Sequence, residues 1–125
     1  MELIIGGAYA GKLSFALEHC GCDISEAFDL SRGLPGGRCR ILYHLEEYDR
    51  SASNCGARCE EILANLLPHV GESGVIIARE IGCGIVPLEA SERIYREEHG
   101  KVLRALAERS EHVYRVFCGI PEVLK

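Results

Sequence analysis

A mostly parallel α/β sheet of about four to five strands, with helices on both faces, is the fold class this sequence predicts. Short aliphatic runs alternate with longer stretches of helical spacing, and the first run ends in a glycine-rich turn. No internal repeat or linker interrupts the alternation, so residues 1–125 are expected to form one domain.

Each element has its own warrant. Glu2 to Gly6 reads as a short strand, apolar on both faces and closed by a glycine pair. A helix is expected from about Gly11 or Lys12 to His19, with Gly21 as its stop. Asp23 to Leu30 suggests one or two helical turns, and Ser31 to Gly37 is the most loop-like stretch. Cys39 to Leu45 is expected as a second strand, and residues 46–54 are polar and ambiguous. Cys55 to Leu67 has helical spacing, with Cys59, Ile62, Leu63, Leu66 and Leu67 on one face. Val75-Ile76-Ile77-Ala78 is a β-branched strand, residues 89–109 a long helix, and Val113 to Cys118 a last strand. The order β-α-β-α-β-α-β implies right-handed crossovers and a parallel sheet.

Composition narrows the classes. Apolar residues make up 47% and charged residues 26%, which argues against disorder. A net charge of −5 argues against a dedicated nucleic-acid binder, whose affinity rests on Lys and Arg. No apolar run approaches the ~20 residues that span a bilayer. Glu2 stands where a secretory signal needs basic residues, so the expected location is the cytoplasm. Seven cysteines include the close pairs Cys20/Cys22 and Cys55/Cys59, neither with zinc-knuckle spacing. They are expected to be reduced thiols, many of them core filler.

The first turn carries the chemistry. Gly6-Gly7-Ala8-Tyr9-Ala10-Gly11-Lys12 is G-x-x-x-x-G-K between a strand and a helix, the context a phosphate-binding loop requires. Glycines let backbone N–H groups turn inward around phosphate oxygens, and the helix N-terminus adds its dipole. Lys12 is expected to reach the β- and γ-phosphates of GTP or ATP. The fold expectation thereby sharpens to P-loop NTPase-like. The next position should be Ser or Thr, whose hydroxyl binds Mg²⁺, but here it is Leu13. Ser14 comes one residue late, about 100° further round the helix. Residues 6–14 are the candidate nucleotide contacts, with Ser14 a candidate metal ligand.

A second motif lies near the other end. Glu80-Ile81-Gly82-Cys83-Gly84-Ile85-Val86-Pro87, with Val75-Ile76-Ile77 before it and Arg96, Gly100 and Ala107 after it, resembles the bifunctional adenosylcobinamide kinase / adenosylcobinamide-phosphate guanylyltransferases. Those enzymes carry N-E-[VI]-G-x-G-I-V-P after a strand and end in a G-I-P-like turn, matched by Gly119-Ile120-Pro121. They open with G-G-x-R-S-G-K-S, of which this chain keeps Gly6, Gly7, Gly11 and Lys12. The family's R-I-x-x-H-x-x-x-R segment, whose histidine takes up GMP, is matched in its first half by Arg40-Ile41-Leu42-Tyr43-His44.

The resemblance implies a transferase of cobalamin synthesis that acts on nucleotide and corrinoid small molecules. It phosphorylates adenosylcobinamide, passes GMP from GTP to adenosylcobinamide phosphate, or does both. It also implies a homo-oligomer. Glu80, at the C-terminal end of a strand beside the P-loop strand, is a candidate for holding Mg²⁺ or accepting a proton. His44 is the candidate nucleophile, and the plainer alternative is a strand-end histidine at a sheet edge. Gly82 and Gly84 would permit close backbone approach to a ligand. Glu46-Glu47 reads as a solvated charged pair. The altered loop also admits a non-catalytic relative that binds nucleotide or corrinoid, or serves a partner subunit. An unrelated small P-loop kinase would leave residues 80–87 unexplained.

Overall fold

The computed structural model describes residues 1–81 and 89–125, so the expected close approach at Gly82 and Gly84 lies outside the described residues. The first strand, β1 (Glu2–Gly6), sends Leu3 into one apolar layer and Ile4 into the other, both essentially buried. Two-sided burial is what a strand inside a parallel sheet requires. The chain then forms α1 (Lys12–Cys20), β2 (Ala27–Asp29), β3 (Cys39–Tyr43), α2 (Leu45–Asn54), α3 (Cys59–Leu66), β4 (Val70–Arg79), α4 (Ala90–Arg109), β5 (His112–Phe117) and β6 (Ile120–Val123).

The described residues build a six-stranded sheet in the order β2-β3-β4-β1-β5-β6. Pairings from β2 through β5 are parallel, and β6 returns antiparallel to β5. Alternate residues of β4 serve opposite layers. Ile76 and Ala78 join Leu45, Ile62, Leu66, Val102 and Leu106 of α2, α3 and α4, while Val75 and Ile77 pack with Ala16 and its neighbours on α1. The mostly parallel α/β architecture with helices on both faces is the one expected.

Several elements differ from expectation. Asp23 to Leu30, expected as one or two helical turns, holds one such turn and then a short strand. A single 3-10 turn at Ile24–Glu26, closed by a reciprocal Asp23–Glu26 capping box, leads into the edge strand β2. β3 stops at Tyr43, and Leu45 begins a helix. The next helix starts at Cys59 rather than Cys55, because Gly56 takes a left-handed φ of 89° and turns the chain first. The chain also continues past Phe117, turning through two consecutive positive-φ residues, Cys118 and Gly119, as a tight hairpin demands.

Among the described residues, no helix is long and apolar enough to cross a membrane. The six described cysteines are free.

Candidate functional site

β1, β3 and β4 are parallel neighbours, so their C-terminal ends open onto one side of the sheet. Ligands of open α/β sheets gather at such an edge. The turn after β1 is Gly7 to Gly11, the residue after β3 is His44, and β4 ends at Arg79 with Glu80 next.

The loop is built by steric exclusion. A Cβ on Gly6 would lie 2.5 Å from the Val116 carbonyl oxygen of β5, so no larger residue lets β1 run this close to its neighbour. Gly11 starts α1 at φ 88° and ψ 23° with no side chain capping the helix. The N-terminal amides of α1 therefore lack a side-chain acceptor, as an anion-binding turn needs. Tyr9 holds a left-handed φ of 57° with its ring fully exposed. Such strain in a non-glycine residue is usually kept where a turn has work to do.

Lys12 Nζ donates to the Gly7 carbonyl at 2.5 Å, so its ammonium curls over its own loop. Burial lowers its pKa, with Arg79 acting in the same direction and Glu46 and Glu80 opposing. A lysine so placed has shed part of its hydration. That state favours an incoming phosphate.

A cavity of about 590 Å³ opens beside the loop. It brings Lys12, Leu13 and Ser14 together with Tyr43, His44, Glu46 and Arg79. Leu13 also packs against the apolar layer under α1, whereas Ser14 is exposed. The hydroxyl one residue late thus still reaches the cavity rim.

His44 is not the strand residue expected. It sits just beyond β3 at φ 62° and ψ 40°, at the N-terminus of α2. Its Nδ1 lies 2.8 Å from Asp29 Oδ1, and the ring is half exposed. Burial alone would raise the Asp29 pKa, but hydrogen bonds from Ser31 and from His44 outweigh it and lower the value. Asp29 is therefore an ionised acceptor, which fixes the tautomer with the proton on Nδ1 and leaves the Nε2 lone pair available.

Glu80 lies beside the loop rather than in the cavity lining. Its N–H donates to the Gly6 carbonyl at 2.9 Å, extending the β1–β4 ladder, and its carboxylate pairs with Arg115 at 3.2 Å. The acids that line the cavity are Glu46 and Glu47, read from sequence as a solvated pair. Glu46 is only 8% exposed, and its Oε1 accepts the Arg79 N–H at 2.9 Å, while Glu47 is exposed. Arg79, which lines the same cavity, was also missed. The signal for both was positional: Arg79 ends β4 and Glu46 stands three residues past the end of β3, both parallel strands.

Behind the site, α2 and α4 share a polar network. Asp49 and His99 are fully buried, with Oδ2 and Nδ1 2.5 Å apart, and His99 Nε2–H donates to the Arg79 carbonyl at 2.9 Å. Tyr95 donates to the Glu46 carbonyl at 3.0 Å, and the Arg50 guanidinium lies 4.3 Å over its ring. Both ends of Arg79's backbone and Glu46 itself are thus held by α2 and α4.

Burial opposes a charge on His99, but the bonds to Asp49 and to the Arg79 carbonyl outweigh it and raise its pKa. Burial raises Asp49 as well, against the bond from His99. Both shifts describe a buried pair that keeps its shared proton. The unfolded chain releases that proton near pH 6.5. The pair's contribution to stability is therefore complete below about pH 6.5 and declines as pH rises through its own higher pKa. Urea midpoints between pH 6 and 9 are expected to fall for the wild type, with the slope reduced in His99→Gln.

These features define a parallel α/β protein with a phosphate-loop-like first turn and a polar cavity at the C-terminal edge of its sheet. The chain belongs to the cobinamide kinase / cobinamide phosphate guanyltransferase family, whose model matches residues 40–124, more than half of its length. The family comprises transferases of cobalamin biosynthesis that use nucleoside triphosphates and cobinamide. The match starts at Arg40, so the loop at 6–12 lies outside it, while His44, Glu46, Arg79 and Glu80 lie within. Among curated proteins, none matches the chain significantly.

Proposed function

We propose that this chain binds GTP or ATP through residues 6–12 and transfers a phosphoryl or guanylyl group to a cobinamide substrate. The observation that supports this reading is a shared cavity: Lys12 and the Asp29-bound His44 line the same space. Lys12 and Arg79 supply positive charge for the phosphates. His44 Nε2 supplies a lone pair that serves two routes.

In guanylyl transfer, Nε2 attacks the α-phosphorus of GTP. A P–N bond forms, the bond to the β-phosphate oxygen breaks, and pyrophosphate leaves. A cobinamide phosphate oxygen then attacks the same phosphorus and releases the ring. In phosphoryl transfer, Nε2 takes the proton of the attacking cobinamide hydroxyl while the γ-phosphoryl group moves and a nucleoside diphosphate leaves.

Among the described residues no cluster of three or more His, Cys, Asp or Glu forms, so a divalent cation would rest on Ser14 and Glu46 of the cavity lining together with the phosphates, with Glu80 nearby. Mg²⁺ held there would neutralise charge on the phosphates. Leu13 favours a second reading, a binder without turnover, because its side chain packs into the core layer where a working loop has its metal hydroxyl.

Labelled GTP separates the readings. With cobinamide phosphate withheld, α-label retained on the wild-type protein in an acid-labile bond, and lost in His44→Ala, supports guanylyl transfer. Transfer of γ-label to cobinamide without a protein adduct supports the kinase route. Nucleotide binding without either transfer supports the binder. Asp29→Asn is expected to lower kcat roughly tenfold, with nucleotide KM within about twofold, because the tautomer is lost while the phosphate contacts remain. An unchanged kcat would remove Asp29 from the site.

A further inference from the structure

We infer that in this chain the Arg79 guanidinium supplies much of the phosphate-neutralising charge that a loop-bound Mg²⁺ supplies in an ordinary phosphate loop, so that polyphosphate binding depends on Arg79 more than on the metal. The inference rests on the nucleotide reading above and deepens it by saying what meets the phosphate charge.

The loop has given up its own share of a metal site. An ordinary loop offers Mg²⁺ a hydroxyl from the residue after its lysine. Here that residue is Leu13, whose side chain packs in the apolar layer with Ile4 and Ala16. Ser14 is displaced by about 100° round the helix, and no three His, Cys, Asp or Glu gather among the described residues. A divalent cation at this cavity gains little from the protein beyond what the phosphates give it.

A fixed cation stands there instead. Arg79 lines the same cavity as Lys12 and the turn from Ala8 to Gly11. Its charge is felt at Lys12: burial lowers the lysine's pKa most, Glu46 opposes, and Arg79 lowers it further. Among the described residues neither cation has a carboxylate in ion-pair contact. Lys12 Nζ donates to the Gly7 carbonyl, Glu80 is paired with Arg115, and Glu46 accepts from the Arg79 backbone N–H. Glu47, the remaining acid of the lining, is exposed. Two positive groups sharing one cavity repel each other, and a bound polyanion relieves that repulsion.

The guanidinium is mounted firmly. Arg79 ends β4, its N–H held by Glu46 Oε1 and its carbonyl by His99 Nε2–H, each at 2.9 Å. Both bonds are to backbone, so the exposed side chain remains available and its replacement leaves them in place. A guanidinium stays charged at any ordinary pH, and its planar fork of donors matches two oxygens of a phosphate. The chain departs from the motifs it resembles at both positions. Arg79 stands where N-E-[VI]-G-x-G-I-V-P has asparagine, and Leu13 where G-G-x-R-S-G-K-S has its last serine. One change removes a metal ligand, and the other adds a cation to the same cavity.

The test is calorimetric titration of the reduced protein with GTP and with inorganic tripolyphosphate, each in Mg²⁺ and in a chelating buffer. Chelation is expected to weaken wild-type binding of tripolyphosphate by less than about threefold. Arg79→Gln, with an unchanged thermal melt, is expected to weaken metal-free binding of both ligands roughly tenfold or more, and binding in Mg²⁺ by less. Arg79→Lys, which keeps the charge and loses the fork, should fall between. A larger wild-type loss on chelation, or an Arg79→Gln deficit no greater without Mg²⁺ than with it, overturns the assignment and leaves the phosphate loop standing. Absence of binding by the wild type in both buffers overturns the assignment and the nucleotide reading together.

Discussion

Lys12→Ala is expected to weaken binding of GTP or ATP by roughly ten- to a hundredfold and to reduce turnover by a further 10² to 10³ or so. The first figure follows from losing a charge-assisted hydrogen bond of about 1.5–3 kcal/mol. The second follows from losing a preorganised positive group aimed at developing negative charge. The fold should be untouched. The ammonium's described hydrogen bond is to Gly7 of its own loop, and the turn is tied to β5–β6 by the Gly119 N–H donating to the Ala10 carbonyl rather than by Lys12. Calorimetric titration with and without Mg²⁺, alongside a thermal melt, checks both halves. Wild-type affinity in a fully folded variant would mean that the loop binds no phosphate.

Legibility in the sequence followed locality. β1, α1, β4 and α4 were readable because neighbours in sequence supply their signal: aliphatic runs, a glycine stop at Gly21, and apolar spacing along α4. The loop at 6–12 was readable for the same reason. β2 was not, since a three-residue edge strand has no periodicity of its own and exists by pairing Phe28 with Leu42. β6 was equally silent, exposed along its length and defined by its hairpin with β5.

α2 shows the limit most clearly. Its buried residues include Glu46 and Asp49 besides Leu45, so a reading that sends charge to solvent has the wrong face. Those acids are inside because partners from distant segments meet them there: the Arg79 N–H for Glu46 and the His99 ring for Asp49. His44 was named from a motif, but its left-handed turn and its bond to Asp29, fifteen residues earlier, depend on where β2 and β3 align.

Asp49→Ala is expected to be the most damaging single change outside the loop, because it leaves a buried imidazole without its partner. Removing one member of a buried hydrogen-bonded pair costs about 3–5 kcal/mol. Against a total stability of about 5–15 kcal/mol for a domain, that corresponds to a fall in Tm of roughly 10–20 °C. The cost is not solvent-screened, since both side chains are fully inaccessible. One Asp49 oxygen already lacks a hydrogen-bond partner among the described residues, so the pair is under-satisfied even before mutation. The damage should also reach the site. His99 would no longer be held where its Nε2–H meets the Arg79 carbonyl, and Arg79 is the residue whose N–H holds Glu46 at the cavity. A paired Asp49→Leu, His99→Leu variant should recover part of the lost stability by removing both polar groups, though the Arg79 carbonyl would still lack its donor. If that double variant melts near the wild type yet binds nucleotide more weakly, the network acts to position the end of β4. If its binding is also unchanged, the pair serves only to join α2 to α4.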